Sequence, residues 1–507
     1  MVRVYQSRED RRFTGDRQPP HEARNLGQGV PCFTIHIMKI YFDATDIAHW
    51  AGHSDRVTGI QRVELNIVRS LARDHGGEAI RGIFFDRDSR AFYEFDPARL
   101  AHAEEFSAES LLIDLGLQQT SRVFPSKVQI KSHLRQAARG KLQRTLKKAD
   151  IYLSALLAPQ RLQRKGLAPS ARSHQVVRPI AVRKITVLPP DSRLACLGTT
   201  WVFPELWRFA AEHRARGGDV LQMVHDLIPV SNPQYVRTKM ATLFRRWLDE
   251  ALQYATGFTC VSSYAAADLR RYAAERNMAP PIHVTRLAHE FVGFERNAEI
   301  PLPPQLTQLA GREFVLAAGT IDARKNGISL LQTWRRLIGE FGDQTPLLLF
   351  AGMYGRVGGA EVRAQLESDA VLAQFVRVVN GPSDQVLAWL YRYCLFSIFP
   401  SHVEGWGLPV GESAWFGNLC VASKASSIPE VCGDLMDYVD PADTADITRA
   451  VRRLITDRDY LQQRKTLIAR ATLRRWSDVA DDLYDCLEQR SPLLTPAAEL
   501  EHPESVN

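Results

Sequence analysis

The sequence of 507 residues has few cysteines, an odd number of them, and no C-x-x-C pair. The seven cysteines are scattered, at positions 32, 196, 260, 394, 420, 432 and 486. This spacing argues against a disulfide framework and a zinc site, and it fits the reducing cytoplasm. No apolar run reaches the roughly 18 residues that would suggest a membrane-spanning helix. The N-terminus is charged throughout, which argues against a signal peptide.

The sequence also has little excess of one sign of charge over the other. Lysine and arginine number 64 against 57 aspartates and glutamates, so the net charge is only +7. We find no recognised nucleic-acid motif and no interleaving of aromatic with basic residues, and we therefore expect no nucleic-acid partner. The composition, 45% hydrophobic and 24% charged, is that of a globular protein long enough for two or three domains.

Short apolar runs alternate with helical patterns over most of the chain, which is typical of a parallel sheet covered on both faces. In the first half, a strand is predicted at 40–42, a polar loop at 47–58 and a helix from Ile60. The pattern is clearest in the second half, where strands are predicted at 314–319, 346–351, 376–380, 395–400 and 419–422. We therefore predict an α/β protein with two doubly wound, Rossmann-like domains and a cleft between them.

The most informative stretch runs from Phe399 to Glu430, where a predicted strand leads through a glycine-rich turn into a short helix. Gly405 and Gly407 let the backbone approach a ligand closely. The free N–H groups and the dipole at the start of that helix can bind an anion. Glu404 and Glu412 flank the turn, so the stretch suits a ligand that is part phosphate and part polyol. Without further context, the same residues would also fit a solvated loop.

A second charged motif follows the strand predicted at 314–319. Gly319 ends that strand, and Arg324 and Lys325 come shortly after it. At the carboxyl end of a strand, a forked guanidinium beside a compact ammonium suits a pyrophosphate. In isolation, such a pair of cations is usually a surface feature.

Together these motifs resemble the donor-sugar site of family 4 of the retaining glycosyltransferases, which have the GT-B fold and take part in bacterial surface-polysaccharide assembly. The matching runs are F-P-S-x-x-E-G-x-G-L-P-x-x-E, I-P-E-V-x-G and G-x-x-x-x-R-K-N. The resemblance spans roughly residues 38–490. It implies that Arg324 and Lys325 bind the donor pyrophosphate, that Glu404 contacts the donor sugar, and that Glu412 contacts the ribose hydroxyls.

Two motifs of the first half extend the resemblance. Gly59 opens a run similar to the G-I-x-R loop that faces the donor phosphates, and His225 opens an H-D-L-I-P run that the family places near the donor sugar. We therefore expect a catalytic group made of His225, Glu404, Arg324 and Lys325. The full set of expected donor-binding residues is Gly59, Gly319, Arg324, Lys325, Gly405, Trp406, Gly407, Leu408 and Glu412.

Local composition at the two ends and the resemblance between them predict how the chain is divided. We predict a disordered N-terminal extension (1–37), an N-terminal acceptor-side domain (38–295) with a basic insertion near 125–193, a C-terminal nucleotide-sugar-binding domain (296–475), a crossover helix (476–490) and a disordered tail (491–507). The stretch from Arg286 to Phe291 departs from the family, which usually has a Gly-Val-Asp-like turn here. No functional role is assigned to it.

We expect no metal and no cofactor. The negative charge that grows on a nucleoside diphosphate leaving group can be met by Arg324, Lys325 and the helix N-terminus. Two D-x-D sequences, Asp86 to Asp88 and Asp457 to Asp459, are interpreted as turn chemistry because aspartate favours turns.

The stretch from Lys127 to Lys148 carries eight cations at roughly helical intervals, with apolar residues between them. It fits either a solvated helix face or a basic amphipathic surface that rests on anionic lipid.

The resemblance therefore implies a retaining, metal-independent transferase that moves mannose or a related hexose from a nucleotide-sugar to a glycan or lipid-linked acceptor. It would act in the cytoplasm, and on the inner face of the plasma membrane if the basic stretch binds lipid. The alternatives are a nucleotide-sugar epimerase of the same fold and a non-catalytic sugar-nucleotide or membrane-binding module. An epimerase needs an acid and a base around one sugar, and no such pair is evident.

Overall fold

The computed structural model describes residues 38–52, 59–77, 79–101, 108–124, 133–134, 141–157, 174–180 and 182–488. These residues belong to one contact-defined unit, which begins at Met38. The predicted N-terminal extension and tail lie outside the described residues.

The first half of the chain is built on a mixed sheet. Its strands are β1 (Ile40–Asp43), β2 (Ile80–Asp86), β3 (Ala91–Phe95), β4 (Leu117–Phe124), β5 (His174–Pro179), β6 (Arg183–Ile185), β7 (Arg193–Cys196), β8 (Asp219–Val224), β9 (Gly257–Cys260) and β10 (Ile282–Val284). In the described residues, eight of them form one sheet in the order β10-β9-β8-β7-β1-β2-β3-β6. Strands β3 and β6 are antiparallel additions at one edge, and β4 pairs with β5 in a separate antiparallel ribbon.

Helices cover both faces of this sheet. They are α1 (Thr45–Ala51), α2 (Ile60–Asp74), α3 (Ala108–Asp114), α4 (Lys141–Leu157), α5 (Pro204–Ala215), α6 (Ile228–Ser231), α7 (Thr238–Tyr254) and α8 (Ser263–Ala274). The side chain of Ser262 accepts the Ala265 N–H and so caps the N-terminus of α8.

The second half contains a sheet that is parallel throughout its described strands. They are β11 (Phe314–Ala318), β12 (Leu347–Ala351), β13 (Val376–Val379), β14 (Ser397–Phe399), β15 (Cys420–Ser423) and β16 (Asp437–Val439), in the order β13-β12-β11-β14-β15-β16. Every residue of β11, β12, β14 and β15 is buried. Such strands require cover on both faces, which the helices supply.

The helices of the second half are α9 (Gly327–Phe341), α10 (Gly359–Ser368), α11 (Leu372–Phe375), α12 (Asp384–Tyr393), α13 (Leu408–Trp415), α14 (Ile428–Cys432), α15 (Thr444–Thr456), α16 (Arg458–Arg470) and α17 (Trp476–Glu488). The predicted α/β architecture of two doubly wound domains is therefore confirmed.

The predicted polar loop at 47–58 is wrong over its first part, because residues 45–51 form helix α1. The carboxylate of Asp43 accepts the N–H and the hydroxyl of Thr45, and these bonds turn the chain into the helix directly after β1. Ile47, Ala48 and Ala51 are then buried in the core. This burial could not be read from a segment too short to show helical periodicity. Residues 53–58 lie outside the described residues.

Both D-x-D sequences make local bonds, as the turn interpretation predicts. Asp86 ends β2 at the hairpin to β3, and its carboxylate accepts the Ser89 N–H. Asp457 caps α16, where its carboxylate accepts the Tyr460 N–H.

Helix α17 belongs to the C-terminal end of the chain but packs against α2 of the first half. The ring of Tyr484 stacks on His75 with 4.1 Å between ring centroids, and Asp481 Oδ1 lies 2.7 Å from His75 Nε2. Leu483 and Leu487 on the same helix are fully buried. These contacts connect the second half of the chain back to the first sheet.

Candidate active site

The order of the second sheet brings two distant charged motifs together. Strands β11 and β14 are parallel neighbours, so their carboxyl ends lie at the same sheet edge. The loop after β11 carries Arg324 and Lys325, and the loop after β14 carries Glu404. Open α/β sheets bind their ligands at this edge.

Glu404 forms ion pairs with both cations. Its Oε1 lies 2.6 Å from Lys325 Nζ, and its Oε2 contacts Arg324 Nη1. The guanidinium also donates to the carbonyl of Val403 at 3.0 Å, and the ammonium lies 4.1 Å from the centroid of the Phe399 ring. With two positive charges and one negative charge, this triad has a net charge of +1, which suits an anionic ligand.

Burial by itself raises the pKa of the Glu404 carboxyl, but the charges of Arg324 and Lys325 outweigh it and hold the pKa at about 2. Burial lowers the pKa of Lys325, and the attraction of Glu404 opposes that effect. Glu404 is therefore a permanent anion at neutral pH. Its side chain is only 10% exposed, so the pairing is little screened by solvent.

The loops that hold the triad are fixed by hydrogen bonds to their backbones. The Glu404 N–H donates to Ser426 Oγ at 2.9 Å, and Ser427 Oγ donates to the Glu404 carbonyl at 2.8 Å. Asn326 adopts a left-handed conformation with φ of 61°, and its amide donates to the carbonyls of Pro400 and Pro441. These bonds join the loops after β11 and β14, so the charges are preorganised.

Gly405 and Gly407 of the central turn must each be glycine, and the steric reason differs between them. A Cβ at Gly405 would lie 2.0 Å from the carbonyl oxygen of His225, so no larger residue fits where the two halves of the chain meet. Gly407 has φ of 124°, in the region that favours glycine, and it caps α13. The Ser262 hydroxyl donates to the Gly405 carbonyl at 2.7 Å. The turn is therefore built against the first domain.

Both carboxylate oxygens of Glu412 already accept hydrogen bonds within the protein. Its Oε1 accepts from Arg62 Nη1 at 3.0 Å and its Oε2 from the Tyr391 hydroxyl at 2.8 Å. The other nitrogen of the Arg62 fork contacts Asp384, and the guanidinium lies 5.0 Å from the centroid of the Phe291 ring. Arg62 thus bridges α2 of the first half to α12 and α13 of the second. Sequence reasoning missed this role, although Arg62 ends the G-I-x-R motif.

His225 lies at the end of β8 with its ring buried. Its Nε2 hydrogen-bonds to the carbonyl of Leu197 at 2.7 Å, which makes Nε2 the protonated nitrogen. Burial lowers the pKa of His225 to about 4, so the ring is neutral at physiological pH. Its neighbour Asp226, which sequence reasoning passed over within the same motif, has its pKa raised by burial, and the charge of Arg324 opposes that effect.

The remaining predicted donor residues lie around the same edge. Gly59, with φ of 55°, is the N-cap of α2, and Ile60 directly after it lines a pocket together with Arg324. Gly319 follows β11, and a Cβ there would lie 3.7 Å from Lys325 Cε. Trp406 is buried, and Leu408 is the first residue of α13.

The stretch from Arg286 to Phe291, which departs from the family pattern, makes contacts that join the two halves of the chain. His289 Nε2 donates to the carbonyl of Val431 at 2.7 Å, while its Nδ1 accepts the Arg474 N–H. Glu290 accepts the Trp476 N–H at 2.9 Å, at the start of α17. In the opposite direction, Glu430 accepts the Ser263 and Tyr264 N–H groups at the start of α8. These contacts fix the relative position of the two sheets.

Much of the predicted basic stretch lies outside the described residues, including Lys127, Lys131, Arg135 and Arg139. Lys147 and Lys148 are exposed on α4, next to Leu146, which is 62% exposed. In the described part of the chain, no helix is long and apolar enough to cross a membrane, and no group of three or more His, Cys, Asp or Glu side chains could hold a metal ion.

Comparison with solved structures defines the class of fold. The chain aligns over 89% of its length with sucrose-phosphate synthase from Thermosynechococcus elongatus (16% identity, TM-score 0.52, 98% of that chain). It aligns equally far with Anabaena Alr3699/HepE in complex with UDP (14% identity, TM-score 0.51, 99% of that chain). The fold is thus the two-domain GT-B fold of glycosyltransferases.

Sequence comparison finds its family match in the second domain. Residues 302–474 match the family model described as glycosyl transferases group 1. O-antigen chain mannosyltransferase B of Escherichia coli is 30% identical over 46% of this chain and 60% of its own length. The serotype-specific mannosyltransferase WbdA of E. coli is 25% identical over 59% of this chain. The chain aligns with only 37% of the length of WbdA.

The depressed pKa of Glu404 predicts how the free energy of unfolding depends on pH. A carboxyl with a lowered folded-state pKa stabilises the protein above its unfolded pKa, and this stabilisation is lost as the pH falls towards the folded value. In the wild type, ionised Glu404 contributes on the order of 3 kcal/mol to the free energy of unfolding near neutral pH, and this contribution is lost as the pH falls from about 5 to about 2. We expect the Glu404→Gln variant to lack this pH-dependent contribution. Urea unfolding at a series of pH values measures this difference.

Glu313→Gln is the matched control, because Glu313 is 58% exposed and pairs with Arg458 at the surface. The free energy of unfolding of Glu313→Gln should depend on pH in the same way as that of the wild type. If Glu404→Gln and Glu313→Gln change the pH dependence equally, Glu404 does not carry the buried charge coupling.

Proposed function

We propose that the protein is a retaining glycosyltransferase, which moves mannose or a related hexose from a nucleotide-sugar to a glycan or lipid-linked acceptor in polysaccharide biosynthesis. The observation that carries the proposal is the triad of Glu404, Arg324 and Lys325 at the carboxyl edge of a group 1 domain. The mannosyltransferase names of the E. coli relatives support the choice of sugar.

In this reaction, the bond between the anomeric carbon and the diphosphate oxygen breaks, and its electron pair leaves with the nucleoside diphosphate. The acceptor hydroxyl forms the new bond on the same face of the ring, and its proton passes to the departing phosphate oxygen. Arg324 and Lys325 stabilise the charge that grows on that oxygen. Glu404, ionised at neutral pH, accepts hydrogen bonds from hydroxyls of the donor sugar.

The neutral ring of His225 and the start of α13 complete the arrangement. His225 cannot act as a cation near pH 7, so it can contribute hydrogen bonding and shape but no positive charge to the phosphates. The N–H groups at the start of α13 provide partial positive charge at the loop. Because protein groups meet the phosphate charge, the proposed reaction needs no metal.

The two alternatives make different demands. An epimerase of this fold would need an acid and a base around one sugar, whereas the ionised groups gathered at this edge form an ion triad suited to a leaving diphosphate. A binding module would not need the preorganised triad that the hydrogen bonds of Asn326, Ser426 and Ser427 hold in place.

A transfer assay tests the proposal. The protein is incubated with GDP-mannose, UDP-glucose and other common nucleotide-sugars, with and without a mannan-derived acceptor, in the presence and absence of EDTA. We expect acceptor-dependent release of nucleoside diphosphate that survives chelation. An epimerase would instead convert the nucleotide-sugar without an acceptor. Activity lost with EDTA and restored by Mn²⁺ would contradict the metal-independent mechanism.

The pyrophosphate role of Arg324 and Lys325 is tested by replacing both with Gln. Glutamine amides can still donate to Glu404, which limits the cost of leaving its buried carboxylate without counter-charges, and circular dichroism checks that the double variant is folded before binding is measured. Hydrogen bonds to charged groups contribute about 1.5–3 kcal/mol each, so we expect nucleoside diphosphate affinity to fall at least about tenfold. Calorimetric titration measures the change. Arg335→Gln, at an exposed arginine of α9, is the matched control. Unchanged affinity in the double variant would contradict the assignment.

We further propose that the protein acts at the cytoplasmic face of the plasma membrane, with the Lys127 to Lys148 stretch resting on anionic lipid. The exposed cations of α4 beside the exposed side chain of Leu146 support this role, since cations combined with apolar side chains favour the membrane interface.

Liposome co-sedimentation tests this docking. We expect binding to vesicles that contain anionic lipid at low salt, with about 1 kcal/mol from each basic residue near the surface. High salt should weaken it, because the attraction is screened. Neutral vesicles are the control, and a protein that stays in the supernatant with anionic vesicles at low salt would rule the docking out.

A further inference from the structure

A stacked pair of aromatic rings joins the two halves of the chain beside the ion triad. Tyr235 belongs to a single 3-10 turn (Pro233–Tyr235) between α6 and α7, and His402 lies in the loop after β14. The two rings are nearly parallel, with an interplanar angle of 8° and 5.9 Å between their centroids. The run F-P-S-x-x-E-G leaves position 402 unspecified, so the resemblance gives this ring no role.

The ring pair is a contact between neutral groups in a half-buried position. Burial lowers the pKa of His402, and the charge of Asp440 opposes that effect. The His402 ring is therefore mostly neutral near pH 7, and it meets Tyr235 in the offset-stacked arrangement that aromatic pairs prefer. Because both side chains are half-buried, neither is needed to fill a hydrophobic core.

The backbone at His402 fixes the orientation of Arg324. The His402 N–H donates to the Arg324 carbonyl at 2.9 Å. The carbonyl of the next residue, Val403, accepts from Arg324 Nη1 at 3.0 Å. Two consecutive residues therefore hold both the main chain and the guanidinium of Arg324, and Glu404, which pairs with that guanidinium, follows directly after them. A shift of His402 would move the guanidinium with it.

We infer that Tyr235 is a positioning residue, which acts through His402 to aim the guanidinium of Arg324 at the β-phosphate of the donor, the phosphate that carries the sugar. The Tyr235 ring holds the His402 ring, and the hydrogen bonds of residues 402 and 403 transmit that constraint to Arg324. The first domain thereby orients a charged group of the second. This inference rests on the proposed function, because it requires that Arg324 binds the donor diphosphate.

Tyr235→Ala removes the stack, and nucleotides that differ by one phosphate locate its effect. The probes are GDP with GMP and UDP with UMP, measured by calorimetric titration, with competition titration for the weaker monophosphates. The monophosphates lack the β-phosphate, so the ratio of diphosphate to monophosphate affinity reports the contact of Arg324 with that phosphate. We expect Tyr235→Ala to lower this ratio at least about fivefold and to leave monophosphate affinity within about twofold of the wild type. A merely structural role would weaken both members of a pair together.

Three further variants test the ring contact itself. Tyr235→Phe keeps the ring without its hydroxyl, and it should restore the affinity ratio to within about twofold of the wild type. His402→Ala should lower the ratio as Tyr235→Ala does. The double variant should have a ratio no lower than that of either single variant, because both changes remove the same stack. Additive effects, or a phenylalanine that fails to restore the ratio, would overturn the inference.

Tyr484→Ala is the matched control. Tyr484 of α17 is also a half-buried tyrosine that stacks on a histidine of the first half of the chain, His75, at an interplanar angle of 11°. Its removal should leave the affinity ratio unchanged, because this pair has no hydrogen-bonded connection to Arg324. If Tyr484→Ala lowers the ratio as much as Tyr235→Ala, the effect is a general loosening between the domains and the inference is wrong.

Measuring binding and transfer on the same variants separates this inference from the proposed function. Transfer is measured from GDP-mannose and UDP-glucose, and its kcat should fall together with the affinity ratio. If the ratio responds as expected but the wild type transfers no sugar, the proposed function fails and the positioning role stands. If the wild type transfers sugar while Tyr235→Ala keeps the wild-type ratio, the inference fails alone. A wild type that binds neither diphosphate would overturn both.

Discussion

The buried pairing of Glu404 with Arg324 and Lys325 is the interaction on which the arrangement of this protein depends. Three charged side chains are taken out of water at one sheet edge, and an unpaired charge there would cost several kcal/mol. Their mutual contacts explain why the carboxyl stays ionised despite its burial. The same contacts leave one net positive charge at the carboxyl edge of the sheet. The residues that stabilise this edge by pairing are therefore also the ones that give it a net positive charge.

Close approach of the backbone between the two halves of the chain accompanies this pairing. Gly405 allows the loop after β14 to touch the end of β8, where a side chain would collide with the His225 carbonyl. Ser262 and Glu430 then bond across the two halves from opposite sides. The first domain thus closes over the charged edge through hydrogen bonds to the backbone.

Much of this site could be predicted from the sequence, because its residues lie in compact motifs at the ends of apolar strands. Glu404 lies 79 positions after Lys325, but the order of a parallel sheet brings their loops together. What could not be predicted was pairing between distant segments without a local pattern. The bridge from Arg62 to Glu412 spans 350 positions. Helix α1 was missed because its seven residues are held by tertiary burial rather than by a recognisable cap.

Arg62 also shows how the contact between the domains is connected to the donor edge. Both oxygens of Glu412 already accept hydrogen bonds, one from the first domain and one from Tyr391. A carboxylate oxygen has two lone pairs, so a ligand hydroxyl that approaches Glu412 must share these oxygens with Arg62 or displace it. The Asp384 carboxylate, on the same side of the second domain, remains a partner for the guanidinium in either case. One arginine therefore connects the position of α2 to the occupancy of the carboxylate expected to bind ribose.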